Sequence, residues 1–147
     1  MMPLPQNDRC RFELGSYVAP MLTERQKLGL QGERVAAKWL RERGWTILQQ
    51  RYRNGHRDID LIATHLDPLT RGRLVAFIEV RTRLSTDWGT PIETVQYQKQ
   101  REIVQSARSW IASNKRFGDS YRFDVIGVVL VGVDAKIQYI PDAFCRN

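Results

Sequence analysis

The chain has 147 residues, of which 42% are hydrophobic and 27% charged, and its 23 Lys and Arg against 16 Asp and Glu give a net charge of +7. This length and composition are typical of one globular domain with its own core, and they exclude a largely disordered protein. The longest apolar run, 125–133, is far shorter than the roughly 20 residues of a membrane helix, so we expect no membrane partner.

The first 22 residues contain three prolines and no hydrophobic period, which predicts a flexible N-terminal arm, 1–22, before a single domain over 23–147. They also lack an apolar segment behind a basic start, so we expect no secretory signal and a cytoplasmic protein. Cys10 and Cys145 have no metal-binding spacing, and reduced thiols fit that compartment.

The first predicted element is a helix. Thr23 and Gln26 match a capping box, and the apolar spacing behind them predicts a helix over about 24–43. Gly29 and Gly32 would let this helix approach a sheet closely.

Three strands follow in the sequence. Alternation at 45–48 predicts the first, the run 58–63 the second and the run 74–81 the third. The pair Asn54-Gly55 predicts the first turn, and the Pro/Gly-containing stretch 67–72 predicts the second.

A second helix and two strands complete the chain. Thr94 is the predicted cap of the helix, and its inward stripe consists of Ile103, Val104, Ala107, Trp110 and Ile111. The runs 122–130 and 136–140 predict the last strands. The order αβββαβ(β) indicates the α/β class, with a mixed β-sheet flanked by helices.

Three carboxylates occupy positions where apolar side chains are expected. Asp58, Asp60 and Ile62 would share one face of the second strand, and Glu79 lies on an otherwise apolar face of the third, two residues before Arg81. Burying a carboxylate is costly unless it is paired or binds a metal. The pattern therefore predicts a divalent-metal site.

Glu33 is predicted to join Asp60 and Glu79 as the third acid of this site. Ala36, Ala37 and Leu40 follow it at helical spacing, so its side chain would leave the first helix on the inward face. The alternative is an acid at the edge of the core that is paired with an arginine.

The basic residues are concentrated between residues 25 and 57, a stretch that contains nine basic residues and only two acidic ones. Such an excess indicates a polyanionic partner, and guanidinium groups suit phosphate oxygens; the alternative is a solvated helix face with incidental charge. The candidate nucleic-acid contacts are Arg25, Arg34, Arg51, Arg53, Arg57 and Arg83.

Several motifs over about 24–145 together resemble one bacterial family. They are Gly29-x-x-Gly32-Glu33, Gly44-Trp45, the run 58–63, Phe77-Ile78-Glu79-Val80-Arg81-Thr82-Arg83, Lys99, Arg122-Phe123-Asp124-Val125 and Ile140-Pro141-Asp142-Ala143-Phe144. The family is the uncharacterised YraN group, UPF0102, related to restriction-endonuclease-like PD-(D/E)xK nucleases and archaeal Holliday-junction resolvases. The resemblance implies a restriction-endonuclease-like fold, DNA as the nucleic-acid partner and a homodimer, because related resolvases are dimers.

Carried over to this sequence, the resemblance implies that Glu33, Asp60 and Glu79 bind Mg²⁺ or Mn²⁺. Asp58 stands where the family usually has Glu, and Arg81 stands where the nuclease motif has Lys.

The change at Arg81 leaves two functions open. An arginine stays protonated, so it stabilises charge but cannot take a proton from water. Lys99 would supply the missing ammonium, unless it is an ordinary solvated lysine. The implied function is a metal-dependent endonuclease acting on structured or branched DNA, and the alternative is a non-catalytic nucleic-acid-binding module.

The remaining polar candidates are weaker. Thr82 and Gln96, like Arg83, are possible contacts to the nucleic-acid backbone. His56 and His65 lack zinc-type spacing and are predicted to be loop residues. Asp124 is predicted to form a structural ion pair with Arg122.

Overall fold

The computed structural model describes residues 21–84 and 95–144, in the predicted order of helix, three strands, helix and two strands. The elements are α1 (Glu24–Glu42), β1 (Thr46–Asn54), β2 (Arg57–Leu66), β3 (Arg73–Leu84), α2 (Tyr97–Asn114), β4 (Ser120–Val131) and β5 (Asp134–Phe144). The predicted α/β class and the mixed sheet are confirmed.

The cap of α1 is the one that the sequence predicts. The Thr23 hydroxyl accepts from the Gln26 backbone N–H at 3.1 Å, and the Gln26 amide oxygen accepts from the Thr23 N–H at 2.9 Å. After α1, Gly44 takes φ +88°, a conformation that favours glycine and reverses the chain into β1. No helix in the described ranges is long and apolar enough to cross a bilayer.

The five strands form one sheet in the order β1-β2-β3-β4-β5. Neighbouring strands are antiparallel except β3 and β4, which are parallel because the chain returns through α2 between them.

The prediction for the first strand is too short. Instead of ending at residue 48, β1 continues to Asn54. Residues 48–51 of this edge strand are all exposed. No alternation of buried apolar and exposed polar residues is therefore needed there, and the sequence carries none that would mark the strand.

Each face of the sheet is covered by one helix and has its own core. The core under α1 includes Ala36, Leu40, Leu61, Ile78 and Ile126. The core under α2 includes Ile59, Ile62, Phe77, Trp110 and Phe123, and the predicted inward stripe of α2 is confirmed.

Some predictions fall outside the described residues. These are most of the predicted arm 1–22, the helix cap Thr94, and both cysteines, Cys10 and Cys145. The prediction of Thr94 as the cap is wrong, because α2 begins at Tyr97 and its N-cap is Gln96, which makes no side-chain capping bond.

Candidate functional site

The site lies where β2 and β3 separate. The ladder between the two strands ends at Leu61 and Ile78, one residue before Asp60. The Asp60 carboxylate accepts the Val80 backbone N–H at 2.8 Å. This side chain therefore takes the place of the missing strand partner and is held at a fixed position beside β3.

The predicted alternation of β2 is wrong at this point. Ile59 and Ile62 both pack in the core under α2, whereas a regular strand would place them on opposite faces. Opposite Asp60 lies Arg51, because its neighbours Gln50 and Tyr52 pair with Leu61 and Ile59. The backbone of Arg51 is left-handed, with φ +52°, and this irregularity accompanies the change of face.

Glu79 is buried on the face of β3 that the sequence predicts, with 9% of its surface exposed. Arg81 Nε lies 3.5 Å from its Oε2, and Lys99 Nζ, from the first turn of α2, lies 4.0 Å from its Oε1. The structure thus brings Glu79, Arg81 and Lys99 together, and Lys99 is not an ordinary solvated lysine.

Asp60 and Glu79 form a pair of carboxyl groups with raised pKa values, here called the acid pair. Loss of hydration and the charge of Glu79 raise the pKa of Asp60 to about 8, although part of its surface reaches solvent. Burial also raises the pKa of Glu79, against the lowering effect of Lys99 and Arg81, and the charge of nearby Asp58 raises it further. Two negative charges at this position are therefore unfavourable without an added cation.

Glu33 is next to the acid pair but has a cation partner. Its side chain is buried, and its two oxygens accept from Arg51 Nε at 3.0 Å and Nη2 at 3.2 Å. The negative charge of Glu33 also contributes to the raised pKa of Asp60. The geometry is that of the arginine-paired acid that the sequence leaves open as the alternative for Glu33.

The acid pair has the chemistry of a divalent-cation site, although it supplies only two carboxylates. Glu79 Oε1 is buried and, within the described ranges, accepts no hydrogen bond, as expected for an oxygen that would face a cation. Hard oxygen donors of this kind are what Mg²⁺ and Mn²⁺ prefer. No three His, Cys, Asp or Glu side chains of the described chain are grouped closely enough to hold a metal ion. Asp60 and Glu79 are thus of the donor type that such an ion prefers, whereas Glu33 is bonded to Arg51.

The predicted nucleic-acid arginines lie on α1 and on the strands β1, β2 and β3. Those on α1 and at the turn between β1 and β2 are exposed, as contacts to a polyanion require: Arg25, Arg34, Arg53 and Arg57. Half of the Arg51 side chain is exposed beside Glu33. Arg83 is half-buried on β3.

The weaker candidates have varied positions. The hydroxyl of Thr82 is buried and faces Gly32 of α1, where an added Cβ would overlap the Thr82 side chain, so Thr82 packs the helix against the sheet. Gln96 is exposed beside the site. His56 lies in the predicted turn, but the loop prediction for His65 is wrong, because β2 continues to Leu66.

Asp124 is structural, as predicted. It is fully buried, and both of its oxygens accept from Arg122, at 2.8 and 2.9 Å. The Tyr139 hydroxyl and the Asp142 backbone N–H also donate to it. These bonds join β4 to β5.

The contact between Arg51 and Glu33 does not follow from the sequence, which predicts Arg51 as a contact to nucleic acid. The two residues are 18 positions apart, and their contact depends on a left-handed residue in an edge strand. No local pattern signals such a pair.

The comparisons with known proteins agree on one family. The model described as "Uncharacterised protein family UPF0102" matches residues 32–128, which include Glu33, Asp60, Glu79 and Lys99. A UPF0102 protein of Alkaliphilus metalliredigens is 36% identical over 81% of this chain and 98% of its own length. One of Chlorobium chlorochromatii is 41% identical over 80% and 91%, and one of Rhodococcus opacus is 36% identical over 80% and 95%.

Proposed function

The chain belongs to the uncharacterised family UPF0102, and we propose that it is a metal-dependent endonuclease that hydrolyses phosphodiester bonds of structured or branched DNA. The observation that carries this proposal is the acid pair with a lysine beside it, Lys99 Nζ being 4.0 Å from Glu79 Oε1. Raised carboxyl pKa values next to a positioned lysine are frequent at catalytic sites.

Asp60 and Glu79 would hold Mg²⁺ or Mn²⁺, with Glu33 as a third acid if Arg51 were withdrawn. A bound divalent ion supplies a water of lowered pKa and neutralises a nonbridging phosphate oxygen. The bond from Val80 N–H fixes Asp60 before substrate arrives, so no reorganisation of this side chain is needed.

Lys99 and Arg81 have different roles beside Glu79. The amine of Lys99 can orient the attacking water and, once deprotonated, accept its proton. Arg81 stays protonated, and its guanidinium would stabilise the extra negative charge that develops on the phosphate. Lys99 thereby replaces the lysine that the nuclease motif would place at position 81.

The second candidate is a nucleic-acid-binding module without turnover. One observation favours it, namely that Arg51 already neutralises Glu33, and in the ranges 21–84 and 95–144 no group of three or more acids or histidines could hold an ion. The basic exposed residues of α1 and β1 would serve this function equally well.

A Mn²⁺-dependent cleavage assay on Holliday-junction, flap and linear DNA tests the proposal. We expect the wild type to cut, and Lys99→Ala to lower the rate constant ~100-fold or more, as loss of a general acid or base does. Arg81→Lys should change the rate constant far less. Lys115→Ala, which removes an exposed lysine just beyond the other end of α2, is the matched control and should cut like the wild type.

The outcome that favours the second candidate is equally specific. If neither the wild type nor Arg81→Lys cuts any of the three DNAs with Mn²⁺, while Glu79→Gln binds them as tightly as the wild type, the chain is a binding module.

A further inference from the structure

We propose that α2 carries a stacking site for an unpaired base, formed by Tyr97 and Arg101. The inference rests on the proposed function and deepens it, because it names the substrate class. The DNA would contain a single-stranded segment.

Tyr97, at the start of α2, is unusually exposed for a large aromatic residue. It is 72% exposed, so its ring contributes little to the core under α2. The guanidinium carbon of Arg101 lies 5.9 Å from the ring centroid, within the range of a cation–π contact. An exposed ring with a cation beside it is a surface on which a base can stack.

A line of basic residues continues along the helix from this ring. Tyr97, Arg101 and Arg108 are separated by four and seven residues, so they lie on one line of α2, and all three are exposed. The helix contains a single acid, Glu102, whose carboxylate accepts from Gln98 at 3.3 Å. The exposed line is therefore positively charged and suits the phosphates of a nucleic-acid strand.

The first turn of α2 carries both the exposed ring and Lys99, the lysine beside the acid pair. Lys99, two residues after Tyr97, has its ammonium 4.0 Å from Glu79. Residues two positions apart leave a helix in nearly opposite directions, so the Tyr97 ring lies in solvent while the Lys99 side chain reaches Glu79. The stacking site and the acid pair therefore share the N-terminal end of α2 but lie on different sides of the helix.

Stacking on an exposed ring selects unpaired nucleotides. A base inside a duplex already stacks on its neighbours, and exposing it requires unstacking and unpairing. A base in an overhang, a flap or the open centre of a branch is available at little cost. Because every base has a π-face, such a site discriminates by strand structure and not by sequence.

The test is binding of the full-length protein, in EDTA to prevent cleavage, to a duplex with a single-stranded overhang and to a blunt duplex. The overhang carries 2-aminopurine, whose fluorescence is quenched by stacking. The variants are Tyr97→Ala, Tyr97→Phe and Phe117→Ala, the last removing a fully exposed aromatic residue just beyond the other end of α2.

We expect the wild type to prefer the overhang DNA and to quench the probe. Tyr97→Ala should weaken overhang binding by roughly 5- to 150-fold, the loss expected for one stacked base, and abolish the quenching. It should leave blunt-duplex binding within about twofold, since a blunt duplex offers no unpaired base. Tyr97→Phe and Phe117→Ala should behave like the wild type.

Two results would overturn the inference and are separable from failure of the proposed function. If Tyr97→Ala weakens binding to the overhang and blunt DNAs equally, or weakens binding to neither, the stacking site does not exist. This conclusion holds whether or not the wild type cleaves DNA. If the stacking results are as expected but the wild type never cleaves with Mn²⁺, the inference holds for a binding module and the endonuclease proposal fails.

Discussion

Asp60 lies just beyond the last paired residue of β2 and β3, so its backbone has no partner on β3. Its carboxylate accepts the Val80 N–H and is also one half of the acid pair. Burial and the charge of Glu79 favour the protonated form of the Asp60 carboxyl group over the ionised form and raise its pKa to about 8. A group with this shift makes the stability of the metal-free protein depend on pH.

The sign of this dependence follows from proton binding. Between pH 4 and 8 the folded state keeps a proton on Asp60 that the unfolded state has lost, so the free energy of unfolding decreases as pH rises through this window. Asp119, whose pKa is lowered to about 2 mainly by its bond from Arg73, acts in the opposite direction and only below about pH 4.

We therefore expect the wild type to lose stability relative to Asp60→Asn between pH 5 and pH 8. Urea unfolding in EDTA at several pH values measures this difference. Parallel stability curves for the two proteins would show that Asp60 titrates normally.

Because Glu33 is paired with Arg51, the effect of a Glu33 substitution on metal affinity should depend on whether Arg51 is present. With Arg51 present, Glu33→Gln should leave the Mn²⁺ affinity nearly unchanged, because Glu33 is already neutralised. In an Arg51→Ala background the buried carboxylate is unpaired and free to bind the ion, so Glu33→Gln should then weaken Mn²⁺ binding about tenfold, a coupling of ~1.4 kcal/mol.

The double-mutant cycle, measured as the Mn²⁺-induced increase in melting temperature, compares these four proteins. Additive effects of the two substitutions would mean that Arg51 does not control access to Glu33.

At the scale of elements, α1 is held close to β3 by a glycine. An added Cβ on Gly32 would overlap Thr82, whereas one on Gly29 would meet nothing within 4 Å. The sequence predicted a close approach at both glycines; the structure confirms it at Gly32 alone. This contact also places Glu33, the next residue, against Arg51 of β1.

The two glycines therefore form a matched pair of sites. Gly32→Ala should lower the free energy of unfolding by about 1–3 kcal/mol, because the helix or Thr82 must move. Gly29→Ala should raise it by up to ~1 kcal/mol, since alanine is the better helix former and has room. Denaturant unfolding of both variants checks this, and equal effects in the two would contradict the close contact.

The elements that the sequence predicts best are those with strong internal patterns. Both helices and the buried strands β3 and β4 carry clear apolar periods, and their positions are confirmed within a few residues. The edge strand β1 is polar along residues 49–51, and the break of alternation at Asp60 depends on its partner Arg51. The extent of β1 and the break at Asp60 both depend on pairing between strands, which a local sequence pattern does not reveal.

For the whole molecule, the acid pair lies between the two helices, since both Glu33 of α1 and Lys99 of α2 affect the pKa of Asp60. The sequence predicted this convergence from inward-facing acids, together with Lys99 as the added ammonium. It could not predict that Tyr97 and its basic line face solvent on α2, because exposure of a helix face depends on which side packs on the sheet.

Calorimetric titration with Mn²⁺ measures whether Asp60 and Glu79 bind a divalent ion. We expect one Mn²⁺ per wild-type chain, loss of binding in Asp60→Asn and Glu79→Gln, and unchanged binding in Glu42→Gln, which alters an exposed acid paired with Lys38. Equal Mn²⁺ uptake by the wild type, Asp60→Asn and Glu79→Gln would contradict this expectation.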